Sequence, residues 1–565
     1  EVLPKKAAPS NGCGEALLPD SGFFCDYVRS YLTDVLHLTK SQLYNGGLII
    51  RTTLDPNLQK RAVDAVNAAV PKDNPAAAVF DSVEPGTGKV QAMAVNRNYG
   101  VDNNDPTQTT INLGVKPVAQ AGSTYKMFTV ASALEKRVPF SYEIQSDYTA
   151  VAPSLGYSAE APAHNDSAGE SGLYDLEKAT VQSVNTYFIQ LLESRYFNSD
   201  LTGPVRMAQK LGMSAHSVTD QIASDVINNH RGSFTLGAVP TSPLDMADAY
   251  ATVAANGKYC PPNPIREIIK SNGERLPIKT PPCKQVLEPK IANGVNNILH
   301  GDMDSSKAAY NTTDGDIDVG NDHAAAGKTG TTNDSSGLWF DGYTPKYSAA
   351  VAVFKPAAPS QEVDTIPGHE GETLYGRFSA DIWNAAMAPI IKAEPPSSWP
   401  APDPSVVYGD SVAVPCVIGQ SDVDASKTLS AQGFTSTSTT SPVDNPIPAG
   451  TVLTQSPGCG ERAAKNSIVD LTLSNGVKPP PPPPPPNHHR HGGGNHQGGG
   501  NTGGGTGGGG TGGGGTGGGG TGGGGTGGGG TGGGGTGGGT GGGGTGGGGT
   551  QPGGGTQPGH GGGGH

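Results

Sequence analysis

Three short segments, far apart in the chain, restrict what it can fold into, because their chemistry is useful only if they converge. They are Ser123-Thr124-Tyr125-Lys126, Ser183-Val184-Asn185 and Lys328-Thr329-Gly330-Thr331. The first opens an apolar-periodic run. Met127, Val130, Ala131 and Leu134 recur at helical spacing, and Lys136 and Arg137 lie near its end. That pattern predicts a helix with Ser123 at its N-terminus, one turn of which brings Ser123 and Lys126 onto one face. Ser-x-x-Lys alone is an ordinary cap followed by a solvated lysine. The ordered set of three segments is what carries information.

A serine hydroxyl is a weak nucleophile and needs a base. Lys126 serves only when uncharged, so its ordinary pKa of ~10.4 must fall through burial, a second cation and the positive end of the helix. Lys328 is the candidate second cation. Ser183 is the candidate proton bridge to the leaving nitrogen, and Asn185 the candidate holder of a substrate amide. Thr329 and Thr331 are placed to hydrogen-bond a substrate carboxylate beside Lys328, and Gly330 lets a backbone or ligand approach closely. The oxyanion needs two N–H donors, expected from the backbone of Ser123 and Thr331. His164, His230, His300 and His323 are scattered and none is recruited. No metal or cofactor is expected.

The rest of the chain reads as a mixed fold followed by a tail. The β-branched run in Gly46-Gly-Leu-Ile-Ile-Arg-Thr-Thr53 reads as a strand, and Asp55-Pro56 starts a helix whose buried side is Leu58, Ala62, Val66 and Ala69. Residues 77–83 and 89–95 read as a hairpin around Glu84-Pro85-Gly86-Thr87-Gly88. Strand, helix and hairpin in that order predict an α/β or α+β domain with an antiparallel sheet. Residues 97–118 and 141–172 read as long loops, 173–192 as helix interrupted at Ser183-Val184-Asn185, and 244–255 as helix ending at Asn256-Gly257. Residues 324–332, 338–340 and 347–354 read as strands, which places Lys328-Thr329-Gly330 in a hairpin. Residues 411–476 read as a small unit of one strand, a helix (421–433) and two more strands (452–455 and 467–473). From Lys478, eight prolines, a His cluster and Gly/Thr repeats of period five cannot bury a core, and disorder is expected.

Composition closes off some function classes. The net charge is −13 without a basic stripe, so nucleic acid is not an expected partner. No run approaches 18 apolar residues, and Glu1 opens the chain without a signal-like segment, which reads as a fragment or processed chain. Six cysteines fall as the neighbours Cys13 and Cys25, Cys260 and Cys283, Cys416 and Cys459. Six cysteines allow about 15 pairings, and an even number suits an oxidising compartment.

With these motifs in hand, the chain resembles the transpeptidase region of class A high-molecular-weight penicillin-binding proteins. The similarity extends to Gly46-Gly-Leu-Ile-Ile-Arg-Thr-Thr-Leu-Asp-Pro56, to Ser242-Pro-Leu-Asp-Met-Ala-Asp-Ala-Tyr-Ala-Thr252, and to Ala326 through Asp334 with Trp339-Phe-Asp-Gly-Tyr-Thr-Pro345. Ala121 departs from the Pro that many members carry there. Residues 413–476 resemble a single PASTA repeat, opened by Val414-Pro-Cys-Val-Ile-Gly-Gln420 and tied by Cys416 and Cys459. The resemblance implies an α+β fold of the serine-transpeptidase kind: an antiparallel five-stranded sheet with helices on both faces, then a PASTA domain and a disordered tail. It divides the chain into a junction (1–45), a transpeptidase domain (46–398), a Pro-rich linker (399–412), a PASTA domain (413–477) and the tail (478–565).

The resemblance implies a D,D-transpeptidase that crosslinks peptidoglycan stem peptides through a Ser123 acyl-enzyme, with release of D-Ala and covalent inhibition by β-lactams. Its partners would be D-Ala-D-Ala donors, amine acceptors and β-lactams, with PASTA either a spacer or a muropeptide sensor. A membrane anchor and a glycosyltransferase domain are expected upstream, which places the chain outside the cytoplasmic membrane. A serine β-lactamase, a DD-carboxypeptidase and a non-catalytic muropeptide or β-lactam sensor are the competing readings. No Glu lies between Glu193 and Glu267, where class A β-lactamases carry their deacylating base, and this counts against the first.

Overall fold

The computed structural model describes residues 12–14, 20–102, 104–303, 317–320, 322–443 and 446–477. The tail from Lys478, expected to be disordered, lies outside the described residues.

The first strand, β1 (Ile49–Thr52), is followed by helix α1 (Pro56–Ala69). The helix starts where Asp55 accepts hydrogen bonds from the Asn57 and Leu58 N–H groups at 2.8 and 3.2 Å, with Pro56 in the first turn. β2 (Ala77–Glu84) and β3 (Lys89–Val95) form the expected hairpin, turned at Gly86 and Gly88, both with positive φ. Then come α2 (Lys126–Glu135), α3 (Leu176–Val181), α4 (Asn185–Glu193) and α5 (Pro243–Ala254). β4 (Ile265–Ile269) and α6 (Pro289–Met303) lead to the strands β5 (Ala326–Thr331), β6 (Gly337–Tyr343) and β7 (Ser348–Phe354), and then to α7 (Gly376–Ile391).

The central sheet has five strands in the order β5-β6-β7-β2-β3, every neighbouring pair antiparallel. β6 and β7 are buried along their whole length, so both faces are covered. Side chains alternate between two cores. Val79, Trp339, Tyr343 and Ala350 enter one core; Phe80, Leu338, Phe340 and Val351 enter the other. α1 and α7 cover the second face through Leu58, Val66, Trp383 and Met387. α5 crosses the first face, where Ser348 Oγ donates to the Ala247 carbonyl at 2.8 Å and Tyr250 meets Tyr343 edge-on. β5 is the edge strand, so its outer side is open to the turn that carries Ser123.

Several expectations are corrected. β1 pairs with β4, not with the central sheet, and Arg51 there meets Glu267 at 2.7 Å. The two long loops hold short strand pairs: 98–99 with 108–109, 144–146 with 172–174, and 149–150 with 163–164. Pairs of two or three residues are too short to show a period-2 pattern. Leu173 is therefore in a strand, and the helix begins at Leu176, where Asp175 caps the Lys178 N–H at 2.7 Å. Ala69 is half-buried, whereas Leu58, Ala62 and Val66 are fully enclosed.

The C-terminal unit contains α8 (Asp422–Ala431), β8 (Thr435–Val443), β9 (Val452–Ser456) and β10 (Ile468–Ser474). β8 was not foreseen. Its Thr/Ser sequence has no apolar alternation, yet it runs parallel to β10 in a sheet of order β8-β10-β9. Val417, Leu429, Val452, Val469 and Leu471 form the core of this unit. Disulfides join Cys13 to Cys25, Cys260 to Cys283 and Cys416 to Cys459. The Pro-rich segment is docked rather than free: Asn293 Nδ2 donates to the Pro400 and Ala401 carbonyls, and Tyr196 donates to Asp410 at 2.6 Å. Among the described residues no helix is long and apolar enough to cross a membrane.

Trp383 is fully buried, stacks edge-on to Phe340 with ring centroids 5.5 Å apart, and donates its indole N–H to the Gly342 carbonyl at 3.2 Å. Trp383→Ala is expected to lower stability by about 3–5 kcal/mol, read from urea unfolding. A loss below about 1 kcal/mol would contradict this placement of α7 on the sheet.

Candidate active site

Ser123 does not sit inside an α-helix. Residues Gly122–Tyr125 form a 3-10 turn that runs directly into α2 at Lys126. Because the fold still advances about one turn, Lys126 Nζ lies 2.9 Å from Ser123 Oγ. Gly122 has φ +61°, and a Cβ there would lie 2.6 Å from the Thr331 carbonyl oxygen. A Cβ on Gly330 would lie 2.2 Å from the Ala121 carbonyl oxygen. The two glycines let the nucleophile turn lie directly against the open edge of β5, so the close approach expected at Gly330 is one of backbone to backbone.

Lys126 is fully buried and gathers the second segment around it. Its Nζ is 3.1 Å from Ser183 Oγ and 2.6 Å from Asn185 Oδ1, and it also contacts the Ser183 carbonyl oxygen. The Phe188 ring lies 5.5 Å away. Ser183 has φ +58°, a left-handed conformation unusual for serine, at the break between α3 and α4. That break turns both its carbonyl and its hydroxyl toward Lys126. The Asn185 amide is oriented by its other end, where Nδ2 donates to the His164 carbonyl at 3.1 Å. Asn185 thus orients Lys126 through Oδ1, and its bond to His164 uses one of the two Nδ2 protons.

The arrangement has a chemical consequence. Asn185 Oδ1 and the Ser183 carbonyl accept hydrogen bonds but cannot donate them. A neutral amine has two N–H groups, enough for both, and its lone pair is then left for a hydroxyl. Ser123 Oγ is one of the two hydroxyls in reach.

The third segment lies on β5. Lys328 is fully buried, with Nζ 3.3 Å from Thr329 Oγ1. Opposite it in the ladder stands Asp341, also fully buried, whose carboxyl is pushed well above the usual carboxylate range by burial. Thr331 Oγ1 accepts from the Gly376 N–H at 2.9 Å, which leaves its O–H free to donate. Thr332 N–H donates to the Gly337 carbonyl. Since N–H groups in an antiparallel pair alternate between partner and open edge, Thr331 N–H faces the Gly122 turn.

A cavity of ≈ 210 Å³ opens over these groups, lined by Ser123, Ser183, Thr329 and Thr331. Lys126, Asn185, Lys328 and Gly330 are not among its lining residues. Asp166, Glu170, Gln182, Tyr375 and Arg377 also line it, and none of these was foreseen. They sit in a loop, at a helix end and at the start of α7, where no motif marks them. Burial raises the Glu170 carboxyl above its ordinary value, and the Asp166 charge adds to the rise. A larger cavity of ≈ 770 Å³ lies elsewhere, lined by residues such as Tyr27, Val115 and His216, and includes none of the expected site residues. Among the described residues no group of His, Cys, Asp or Glu is arranged to hold a metal ion.

Residues 78–364, just over half of the chain, match the family model described as the penicillin binding protein transpeptidase domain. The chain belongs to the penicillin-binding protein transpeptidase family. Residues 412–475 match the PASTA domain. Penicillin-binding protein 1A of Mycobacterium tuberculosis is 27% identical over 450 residues, which cover 76% of this chain and 50% of that protein. Penicillin-binding protein 1A of Mycolicibacterium smegmatis is 27% identical over 389 residues, covering 66% of this chain and 45% of that protein. The chain thus spans about half the length of these relatives. The solved structure of the penicillin-binding protein PonA1 from Mycobacterium tuberculosis superposes with a TM-score of 0.57 at 24% identity, over 69% of this chain and 97% of that one. The class A resemblance, the five-stranded serine-transpeptidase fold and the PASTA unit therefore stand.

In this penicillin-binding protein the contact of Gly330 with Ala121 sets where Ser123 meets β5. Gly330→Ala is expected to slow acylation by labelled penicillin about a hundredfold, since displacements of about 1 Å have effects of that order. A labelling rate within about twofold of the unaltered chain would contradict the close apposition.

Proposed function

We propose that this chain is a peptidoglycan D,D-transpeptidase working through a Ser123 acyl-enzyme. The observation that carries the reading is the position of Lys126 Nζ, 2.9 Å from Ser123 Oγ and 3.1 Å from Ser183 Oγ. Lys126, as a neutral amine, takes the Ser123 proton while Oγ attacks the carbonyl of the donor D-Ala–D-Ala bond. The oxyanion is held by the N–H groups of Ser123 and Thr331. Ser183 passes the proton from Lys126 to the leaving nitrogen, and the terminal D-Ala departs. Lys328, Thr329 and Thr331 receive the donor carboxylate. An amine of a second stem peptide then attacks the ester, forms the crosslink and frees Ser123. β-Lactams acylate Ser123 by the same route and remain attached.

Other features support the wider reading. Three disulfides suit an extracytoplasmic site of action at the cell wall. The bond from the Gly376 N–H to Thr331 and the packing of α7 on the sheet support extending the transpeptidase domain from 46 to 398, beyond the end of the family match. The linker would then be 399–412 and the PASTA domain 413–477. A DD-carboxypeptidase has the same acylation half and differs in using water as acceptor.

Two measurements test this. Labelled penicillin is expected to attach covalently to the chain and not to Ser123→Ala, and to label Lys126→Ala orders of magnitude more slowly. Equal labelling of the unaltered chain and Ser123→Ala would end the assignment. Incubation with a stem pentapeptide and an acceptor amine is expected to give crosslinked product by mass spectrometry. Loss of D-Ala alone would favour the carboxypeptidase.

A further inference from the structure

The cavity over Ser123 is electrically divided. The wall built by β5 and the start of α7 presents Thr329, Thr331 and Arg377, and Lys328 is buried in the same strand. The wall on the Ser183 side presents Glu170 and Asp166. A donor peptide ends in a carboxylate and matches the first wall. Its carboxylate would be repelled by the second, which needs a different occupant.

The loop that carries these two acids is tied to the catalytic segment. Asn165 is fully buried, and its Nδ2 donates to the Glu170 carbonyl at 2.9 Å and to the Asp147 carbonyl at 3.3 Å. Its Oδ1 accepts from the Thr186 N–H at 2.9 Å and from Thr186 Oγ1 at 3.2 Å. The next residue back, His164, receives the Asn185 amide. Residues 164–170 are thus fastened at several points to the start of α4, the element that orients Lys126. Glu170 is half-buried and lines the same cavity as Ser123 and Ser183. A surface acid placed for solubility would not need this anchoring.

We infer that Glu170, assisted by Asp166, binds the ammonium group of the acceptor and takes the proton it must lose before attacking the acyl-enzyme. This rests on the transpeptidase reading. The balance is complete. The acceptor R–NH3+ gives one proton to the Glu170 carboxylate and becomes R–NH2. Its nitrogen forms the C–N bond to the ester carbonyl, and the C–O bond to Ser123 breaks. The second amine proton reaches Ser123 Oγ through Ser183 and Lys126, and Glu170 returns its proton to water.

The test is the ratio of crosslinked to hydrolysed product, a quantity counted per acyl-enzyme and so independent of how fast Ser123 is acylated. The unaltered chain and Glu170→Gln are supplied with a stem pentapeptide donor and either a lysine-type ammonium acceptor or hydroxylamine, which is uncharged at neutral pH. The ratio is expected to fall about tenfold or more for the ammonium acceptor and less than about twofold for hydroxylamine. Asp166→Asn should move it in the same direction by less. An unchanged ratio would overturn the inference. A raised ratio would do so too, since it would make Glu170 the base for water. An equal fall with both acceptors would reduce Glu170 to a support for the loop and likewise overturn it. Absence of any crosslinked product from the unaltered chain would instead remove the transpeptidase reading, and this inference with it.

Discussion

The position of one buried amine governs the site. Lys126 Nζ is in contact with groups from two separate segments, and two of those groups can only accept hydrogen bonds. Lys126 reaches from α2 to the break after α3, and its Nζ joins the two segments. Everything nearby serves to keep that break in place. Ser183 adopts a left-handed backbone, Val184 N–H returns to the Ala179 carbonyl, and Asn165 ties the neighbouring loop to Thr186. Such strain persists only where surrounding contacts over-determine it.

The second constraint is steric. Gly122, Gly237 and Gly330 meet around the nucleophile turn, and a Cβ on Gly237 would fall 2.0 Å from the Gly122 carbonyl oxygen. β5 can therefore lie against this turn with the Thr331 backbone facing Gly122. An edge strand is ordinarily a liability. Here its open edge is covered by the nucleophile turn, and the Thr331 N–H that faces this turn is the donor we propose for the developing oxyanion. The buried five-stranded sheet supplies the rigidity that this placement requires.

The parts of the fold legible in the sequence were those with strong local chemistry. Asp55-Pro56 marks a helix start, Pro85-Gly86 a hairpin, and Asn256-Gly257 the end of the apolar run that forms α5. Elements held mainly by distant partners were not legible. β8 is a Thr/Ser run that becomes a strand only because β10 pairs with it. β1 reads as a strand, but nothing in it names β4 as its neighbour. In the site, the three motif segments show which chemistry to look for, and they were found around one cavity. Asp166 and Glu170 could not be foreseen, because a loop acid looks like any solvated charge until Asn165 is seen anchoring it. Asn185 also orients Lys126 through Oδ1, a task that its motif does not announce.

The mechanism requires that Lys126 carry no proton to spare when Ser123 attacks. Nitrogen NMR of the chain labelled at lysine Nζ, with Lys126→Arg used to assign the signal, reads that protonation state directly. The signal of Lys126 is expected to be that of a neutral amine at neutral pH in the unacylated chain. A signal that remains that of an ammonium through neutral and mildly alkaline pH would contradict proton transfer from Ser123 to Lys126.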